Sequence, residues 1–256
     1  MVSGRFAGSF GGFRGLPTLQ GAERRVAVVG GSEAGVDHAR SRLTASLTSQ
    51  SALPKPMQPL IWTREDRLIL ASASPQRTQI LHQLRIPHEV RPTEAPELES
   101  GEPFAVAAEN ARRKGRAGRD ALGVAESARA VILACDTVVA IDGRVYGKPA
   151  DAGEAAAFLH DLQGRTHDVL GAIAIAAPDG MIRERTDRTL VTFAPLDATQ
   201  IAAYVATGEW RGRAGGYAIQ GAGAALVDAI DGDYLNVVGL PVPALRALVQ
   251  GLVPPF

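Results

Sequence analysis

Cysteine is almost absent from this 256-residue chain, Cys135 being the single one. An internal disulfide and any cysteine-based metal centre are thereby excluded, which fits a reducing compartment and predicts a cytoplasmic protein. Long apolar runs are missing too. No uninterrupted apolar stretch approaches the ~20 residues that a membrane span needs, so no membrane partner is expected. The third absence is net charge: 27 Lys+Arg stand against 27 Asp+Glu. A sequence-blind nucleic-acid binder draws its affinity from a clear cationic excess facing the phosphates, so the balance argues against a nucleic-acid partner. The zero is a sum of unequal parts. Residues 1–56 hold seven Lys+Arg and three Asp+Glu, leaving 20 and 24 for residues 57–256.

Large apolar side chains are scarce in residues 1–56, which contain nine Gly and seven Ser. Such a stretch buries too little surface to offset the entropy of ordering it, and a disordered N-terminal extension is predicted. One patch, Arg25-Val-Ala-Val-Val-Gly-Gly-Ser-Glu-Ala-Gly35, reads as a short strand entering a glycine turn, without the G-x-G-x-x-G order or the Lys-Ser/Thr of a nucleotide loop. Arg5 and Arg14 give a transit-peptide flavour, but no amphipathic stripe accompanies them. Met57 opens the part with regular patterning, so translation from Met57, with residues 57–256 as the catalytic domain, is the expectation.

The patterned part starts with Leu68-Ile-Leu-Ala71, a short buried strand, followed by Ser72-Ala-Ser-Pro-Gln-Arg-Thr-Gln-Ile-Leu-His-Gln-Leu84. Ser74 stands at an N-cap, Pro75 at the first helical position, and Ile80, Leu81 and Leu84 form one stripe. A strand, tight turn and helix result. The helix start offers free N–H groups and a partial positive charge beside two serine hydroxyls and Arg77, a setting for an oxyanion. Further on, Ala130-Val-Ile-Leu-Ala-Cys-Asp-Thr-Val-Val-Ala-Ile141 is apolar on both faces and reads as a central strand. Asp136 interrupts it. An isolated carboxylate there costs several kcal/mol, so it must be paired, protonated, bound to metal, or placed where the strand opens onto a cleft.

Asp142-Gly143 predicts a hairpin turn, from which Arg144-Val-Tyr-Gly-Lys-Pro149 returns with Lys148 at its end. Asp151-Ala-Gly-Glu154 reads as a capping box for a helix through Leu162, ended at Gly164. Arg165–Ile175 and Leu190–Phe193 read as antiparallel strands, so the sheet is mixed. The arginines at 112, 113, 116 and 119 fall at helical spacing, as a solvated helix face or, in the competing reading, a nucleic-acid surface. His167 and Cys135 lie on separate strands with no third group indicated, so neither is assigned as a nucleophile.

With the serine turn, the buried acid and the Gly-Lys-Pro turn in this order, the chain resembles the Maf family of nucleoside triphosphate pyrophosphatases. Further matching stretches are Gln163-Gly-Arg-Thr-His167, Tyr204-Val-Ala-Thr-Gly208, Arg213-Ala-Gly-Gly-Tyr-Ala-Ile-Gln-Gly221 and Gly232-Asp-Tyr-Leu-Asn-Val-Val-Gly-Leu-Pro241. The resemblance runs from about Leu68 to the C-terminus. It implies an α/β fold, an elongated mixed β-sheet flanked by helices in two lobes with a central cleft, Maf/ITPase-like. It implies hydrolysis of a nucleoside triphosphate to a monophosphate and diphosphate with a divalent cation, Mg²⁺ or Mn²⁺, and allows a homodimer. The family's proton acceptor matches Asp136 and its second acid Glu97, the two candidate metal ligands. Its helix lysine matches Lys114, its turn lysine Lys148, and its phosphate loop Ser72, Ser74 and Arg77.

Substrate choice in that family is associated with positions that match Gln76, Thr137 and Gln220. Thr137 and Gln220 agree with the subgroup acting on dTTP and UTP, whereas Gln76 departs from the arginine found there in that subgroup. Glutamine lacks the charged fork of arginine, so both base and phosphate contacts are affected. The alternative is a nucleotide-binding regulator of septation or division with little turnover, which would need the cations but not Asp136.

Overall fold

A computed structural model describes residues 58–253; the expectations for residues 1–56 and for a start at Met57 lie outside the described residues. Its centre is the apolar run with the acid in it. β4 (Ala130–Ile141) is buried at every position except Thr137, as a strand with apolar side chains on both faces must be. On one side it pairs antiparallel with β6 (Thr166–Ala176), which pairs with β7 (Ile182–Phe193), which pairs with the edge strand β8 (Val227–Asp231). Beyond its other edge lie β2 (Arg67–Leu70) and β3 (Glu89–Val90), both parallel to it. β5 (Arg144–Tyr146) returns on that same edge through a turn in which Asp142 and Gly143 both have positive φ, the type the Asp-Gly pair favours. β1 (Leu60–Ile61) and β9 (Val249–Gln250) form a separate parallel pair.

This register creates the cleft. β2 covers the edge of β4 from Ala130 to Leu133, and β5 covers it from Val139 to Ile141. Between them the edge has no strand partner, and Asp136 and Thr137 sit in that opening on opposite faces of the sheet. The long strands run through two lobes. In the first, α1 (Pro75–Gln83) and α7 (Val242–Leu248) cover one face through Leu68, Leu70, Leu133 and Cys135. On the opposite face α2 (Pro103–Asp120) packs on Ile69, Ile132, Ala134 and Ala174. Gly118 permits this approach, since a Cβ there would lie 2.8 Å from Ile132 Cγ2. In the second lobe, α4 (Ala152–Leu162) and α5 (Ala198–Thr207) bury Val139, Ile141, Val169, Val191 and Phe193. α3 (Val124–Ser127) and α6 (Tyr234–Val238) are short connectors. The mixed sheet flanked by helices is thus as expected. No helix among the described residues is long and apolar enough to cross a membrane.

Three local expectations are corrected. The capping box at α4 is half formed: Asp151 accepts from the Glu154 amide, but Glu154 Oε2 takes the Ala150 amide instead of closing back on the cap. β7 begins eight residues before Leu190, because the charged side chains of its first half find partners across the sheet surface, Glu184 with Arg112 and Arg188 with Asp168. Finally, the helical arginine run is mostly engaged within the protein. Arg112 and Arg113 bind Glu109, and Arg119 donates to the carbonyls of Ala177 and Pro178, which withdraws them from a nucleic-acid surface.

Candidate active site

The strand, turn and helix at the entry form as their residues dictate, with Pro75 opening α1 behind Ser74. The Ser74 hydroxyl does not cap the helix, however; it donates to Gln76 Oε1 at 3.2 Å, and Ser72 Oγ accepts the Ser74 amide at 3.2 Å. The first-turn amides of α1 are therefore left without a side-chain cap, at the helix end that favours an anion. Arg77 lies across the base of this turn. It donates to Ser72 Oγ at 2.8 Å, to the Gly239 carbonyl at 2.9 Å and to Thr137 Oγ1 at 3.2 Å. Three of its five N–H groups are thus committed to holding turn, strand and loop together, and two remain for a ligand. Thr137 serves as an acceptor that orients Arg77.

On the other face of the sheet, α2 presents Asn110 and Lys114, one turn apart, to Asp136. Lys114 Nζ lies 2.6 Å from Asp136 Oδ1 and 3.0 Å from Glu97 Oε1. All the expected charged groups of this face converge, since Lys148 Nζ stands 3.9 Å from Glu97 Oε2. Of the alternatives for Asp136, the structure selects two at once: it is ion-paired, and it sits at the cleft with only 6% of its surface exposed. Burial pushes the Glu97 carboxyl up, but the ammonium of Lys114, with Lys148 and Arg77 behind it, outweighs this and holds it below the usual carboxylate range.

Asn110 was not legible as a site residue. Its amide accepts from Leu98 N at 2.7 Å, donates to Leu98 O at 3.0 Å and to Asp136 Oδ2 at 3.2 Å. One side chain thereby fixes both the loop carrying Glu97 and the second oxygen of Asp136. The only signal in the sequence is a polar residue one helical turn before Lys114 on a face otherwise made of Val106, Ala107 and Ala111.

These groups line a cavity of about 510 Å³ in which five cationic side chains, Arg77, Lys114, Lys148, Arg211 and Arg213, face two carboxylates, Glu97 and Asp136. Ser72, Ser74, Gln76 and Thr137 are on the same wall. A second cavity of about 300 Å³ adjoins it and contains Gln220 together with Gln76. Two of the three expected specificity residues therefore meet there, while Thr137 faces only the first cavity. Glu97 and Asp136 each set one carboxylate oxygen within 3.0 Å of Lys114 Nζ, hard donors of the kind a divalent cation takes, although no group of three or more acidic, histidine or cysteine ligands occurs among the described residues. Mg²⁺ is commonly held by one or two carboxylates with phosphate oxygens and water completing its shell.

Cys135 and His167 stand outside this chemistry. Cys135 is fully buried, which pushes its thiol up to about 11. His167 Nε2 bonds Tyr217 Oη at 2.9 Å, and burial pushes the imidazole down to about 4.

A mixed sheet opened at its central strand, with an uncapped helix start and clustered cations on either side of a buried acid, defines an α/β protein with a cationic cleft. More narrowly, the chain belongs to the Maf family, whose model for Maf-like proteins matches residues 67–252. It is 45% identical over 188 residues to a dTTP/UTP pyrophosphatase of Hyphomonas neptunium, covering 72% of this chain and 95% of the relative. A dTTP/UTP pyrophosphatase of Paramagnetospirillum magneticum is likewise 45% identical, over 187 residues, covering 72% and 96%. Among solved structures, a nucleoside-triphosphatase (dITP/XTP pyrophosphatase) of Mycobacterium abscessus matches with a TM-score of 0.36 and 21% identity, over 52% of this chain and 76% of its own.

Proposed function

We propose that this protein hydrolyses nucleoside triphosphates to the monophosphate and diphosphate, with dTTP and UTP as preferred substrates. The observation that carries the reading is the placement of Asp136, a buried carboxylate whose two oxygens are held by Lys114 and Asn110 within a cationic cavity. The names of the relatives support the pyrimidine preference, as do Thr137 and Gln220.

The triphosphate chain lies against the uncapped start of α1, with Ser72, Ser74, the two free N–H groups of Arg77, Lys114 and Lys148 offsetting its charge. Such preorganised donors account for most of the rate in phosphoryl transfer. Asp136 accepts the proton of the attacking water as its oxygen bonds to phosphorus at the α–β linkage; the bridging P–O bond breaks and diphosphate leaves. Glu97 and Asp136 would hold Mg²⁺ or Mn²⁺, which would supply further charge neutralisation. A pure nucleotide sensor has no use for two carboxylates set against the phosphate-binding cations, which favours turnover. The test is product analysis with a panel of common and modified triphosphates in the presence of Mg²⁺. The expected products are dTMP or UMP with diphosphate. Release of diphosphate from none of them by correctly folded protein defeats the reading.

A further inference from the structure

We propose that Arg213 is a further substrate-binding residue, gripping the nucleotide where the nucleoside meets its triphosphate. The inference rests on the triphosphate reading and assigns a role at the passage between the two cavities. Their linings share five residues: Gln76, Arg213, Tyr217, Val237 and Val238. Arg213 is the one charged residue among them. A triphosphate seated against the serine turn, with its base directed to Gln76 and Gln220, must pass its ribose and α-phosphate through this passage.

Two observations mark the guanidinium as waiting for a partner. Arg213 Nε is buried with no hydrogen-bond partner, and among the described residues the side chain makes no ion pair. With neither a hydrogen bond nor an ion pair to the protein, the guanidinium lines both cavities with its terminal N–H groups left for a ligand that passes between them. The loop is also built to hold this residue in place. Gly215 adopts φ +69° directly over Val139 of β4, where a Cβ would fall 2.9 Å from both valine methyls. Its amide donates to the Gly147 carbonyl at 3.0 Å, tying the Arg213 loop to the turn that carries Lys148. Lys148 and Arg213 are thus fixed to one backbone unit, the first reaching towards Glu97 and the second standing at the passage. A planar fork suits phosphate and ribose oxygens at this junction better than a point charge does.

The test compares binding of three probes to wild-type protein and to Arg213→Gln: the α,β-methylene analogue of dTTP, dTMP, and inorganic diphosphate, which lacks both the nucleoside and the α-phosphate. Loss of a charge-assisted contact should weaken the analogue and dTMP roughly 10- to 100-fold while leaving diphosphate within about twofold. Arg213→Lys, which keeps the charge without the fork, should recover part of the dTMP binding and guards against a folding defect in the glutamine variant. Unchanged affinity for all three probes, or equal weakening of diphosphate, overturns the assignment. These are binding measurements, so wild-type protein that binds the analogue but releases no diphosphate from dTTP refutes hydrolysis and leaves the role of Arg213 decided by its own data.

Discussion

Replacing Asn110 by leucine removes one side chain that the proposed chemistry needs in two places. Asn110 is 2% exposed, and its amide makes three hydrogen bonds, two with the Leu98 peptide and one to Asp136 Oδ2. A neutral hydrogen bond contributes about 1 kcal/mol net and one to a charged group about 1.5–3 kcal/mol, so Asn110→Leu should lose about 4 kcal/mol of stability. The near-isosteric leucine avoids a cavity, which keeps that loss assignable to hydrogen bonding. Turnover should fall separately, because the loop bearing Glu97 and the orientation of Asp136 are both released. Removing a group that orients a catalytic carboxylate typically costs about 10- to 100-fold. Urea unfolding gives the first quantity, and steady-state diphosphate release at saturating dTTP and Mg²⁺ the second. Asn110→Asp separates them further, since it keeps the acceptor for the Leu98 amide while setting a carboxylate against Asp136. Stability within about 1 kcal/mol of wild type and turnover within twofold for Asn110→Leu would show that the amide positions nothing.

Further outcomes follow from other contacts. Lys114→Met leaves Asp136 and Glu97 without their shared ammonium; in metal-free buffer the variant should lose about 3–5 kcal/mol, as expected when one partner of a buried pair is removed. Added Mg²⁺ should restore part of that in the melting temperature, and a variant as stable as wild type without metal contradicts the pairing. His167 has a folded-state pKa of about 4, below its ordinary value, so only the unfolded chain takes up its proton between about pH 6.5 and 4. Stability should therefore fall by about 3 kcal/mol across that window on this residue's account, and level off below it. His167→Gln should flatten the slope by one proton, and an unchanged slope in denaturant titrations at several pH values rejects the assignment. Gly118→Val should destabilise by about 1–3 kcal/mol or more through overpacking against Ile132, read from the shift in urea midpoint; a neutral effect would mean that α2 can move away from β4.

What could be read in advance was whatever one segment carries by itself. The run Ala130–Ile141 announces a covered central strand and makes its acid conspicuous, and Ser74-Pro75 announces a helix start. The opening in the sheet is different in kind. It arises because two short strands share one edge of β4 and leave a gap, a property of register between segments more than 60 residues apart. Glu97 and Lys114 became visible only through the resemblance, since an acid in an acidic loop and a lysine in a basic run are unremarkable locally. Asn110 and Arg213 were missed altogether. Each is one polar residue within a helix or glycine-rich loop, and its meaning depends on what the fold sets beside it, the Leu98 peptide and Asp136 for Asn110 and the two cavities for Arg213. The early half of β7 was hidden because its charged side chains break the apolar signal, and only ion pairs to α2 and β6 explain how they sit in a strand.

The central claim is that Asp136 is the proton acceptor for hydrolysis of a triphosphate in this cleft, and Asp136→Asn tests it most directly. The asparagine is isosteric and leaves Lys114 its contact to Glu97, so the fold should survive, as checked by the unfolding transition and by binding of the non-hydrolysable dTTP analogue. The account predicts that release of diphosphate from dTTP falls by about 10²- to 10⁴-fold in that folded variant. Turnover at the wild-type rate by folded Asp136→Asn protein would contradict it.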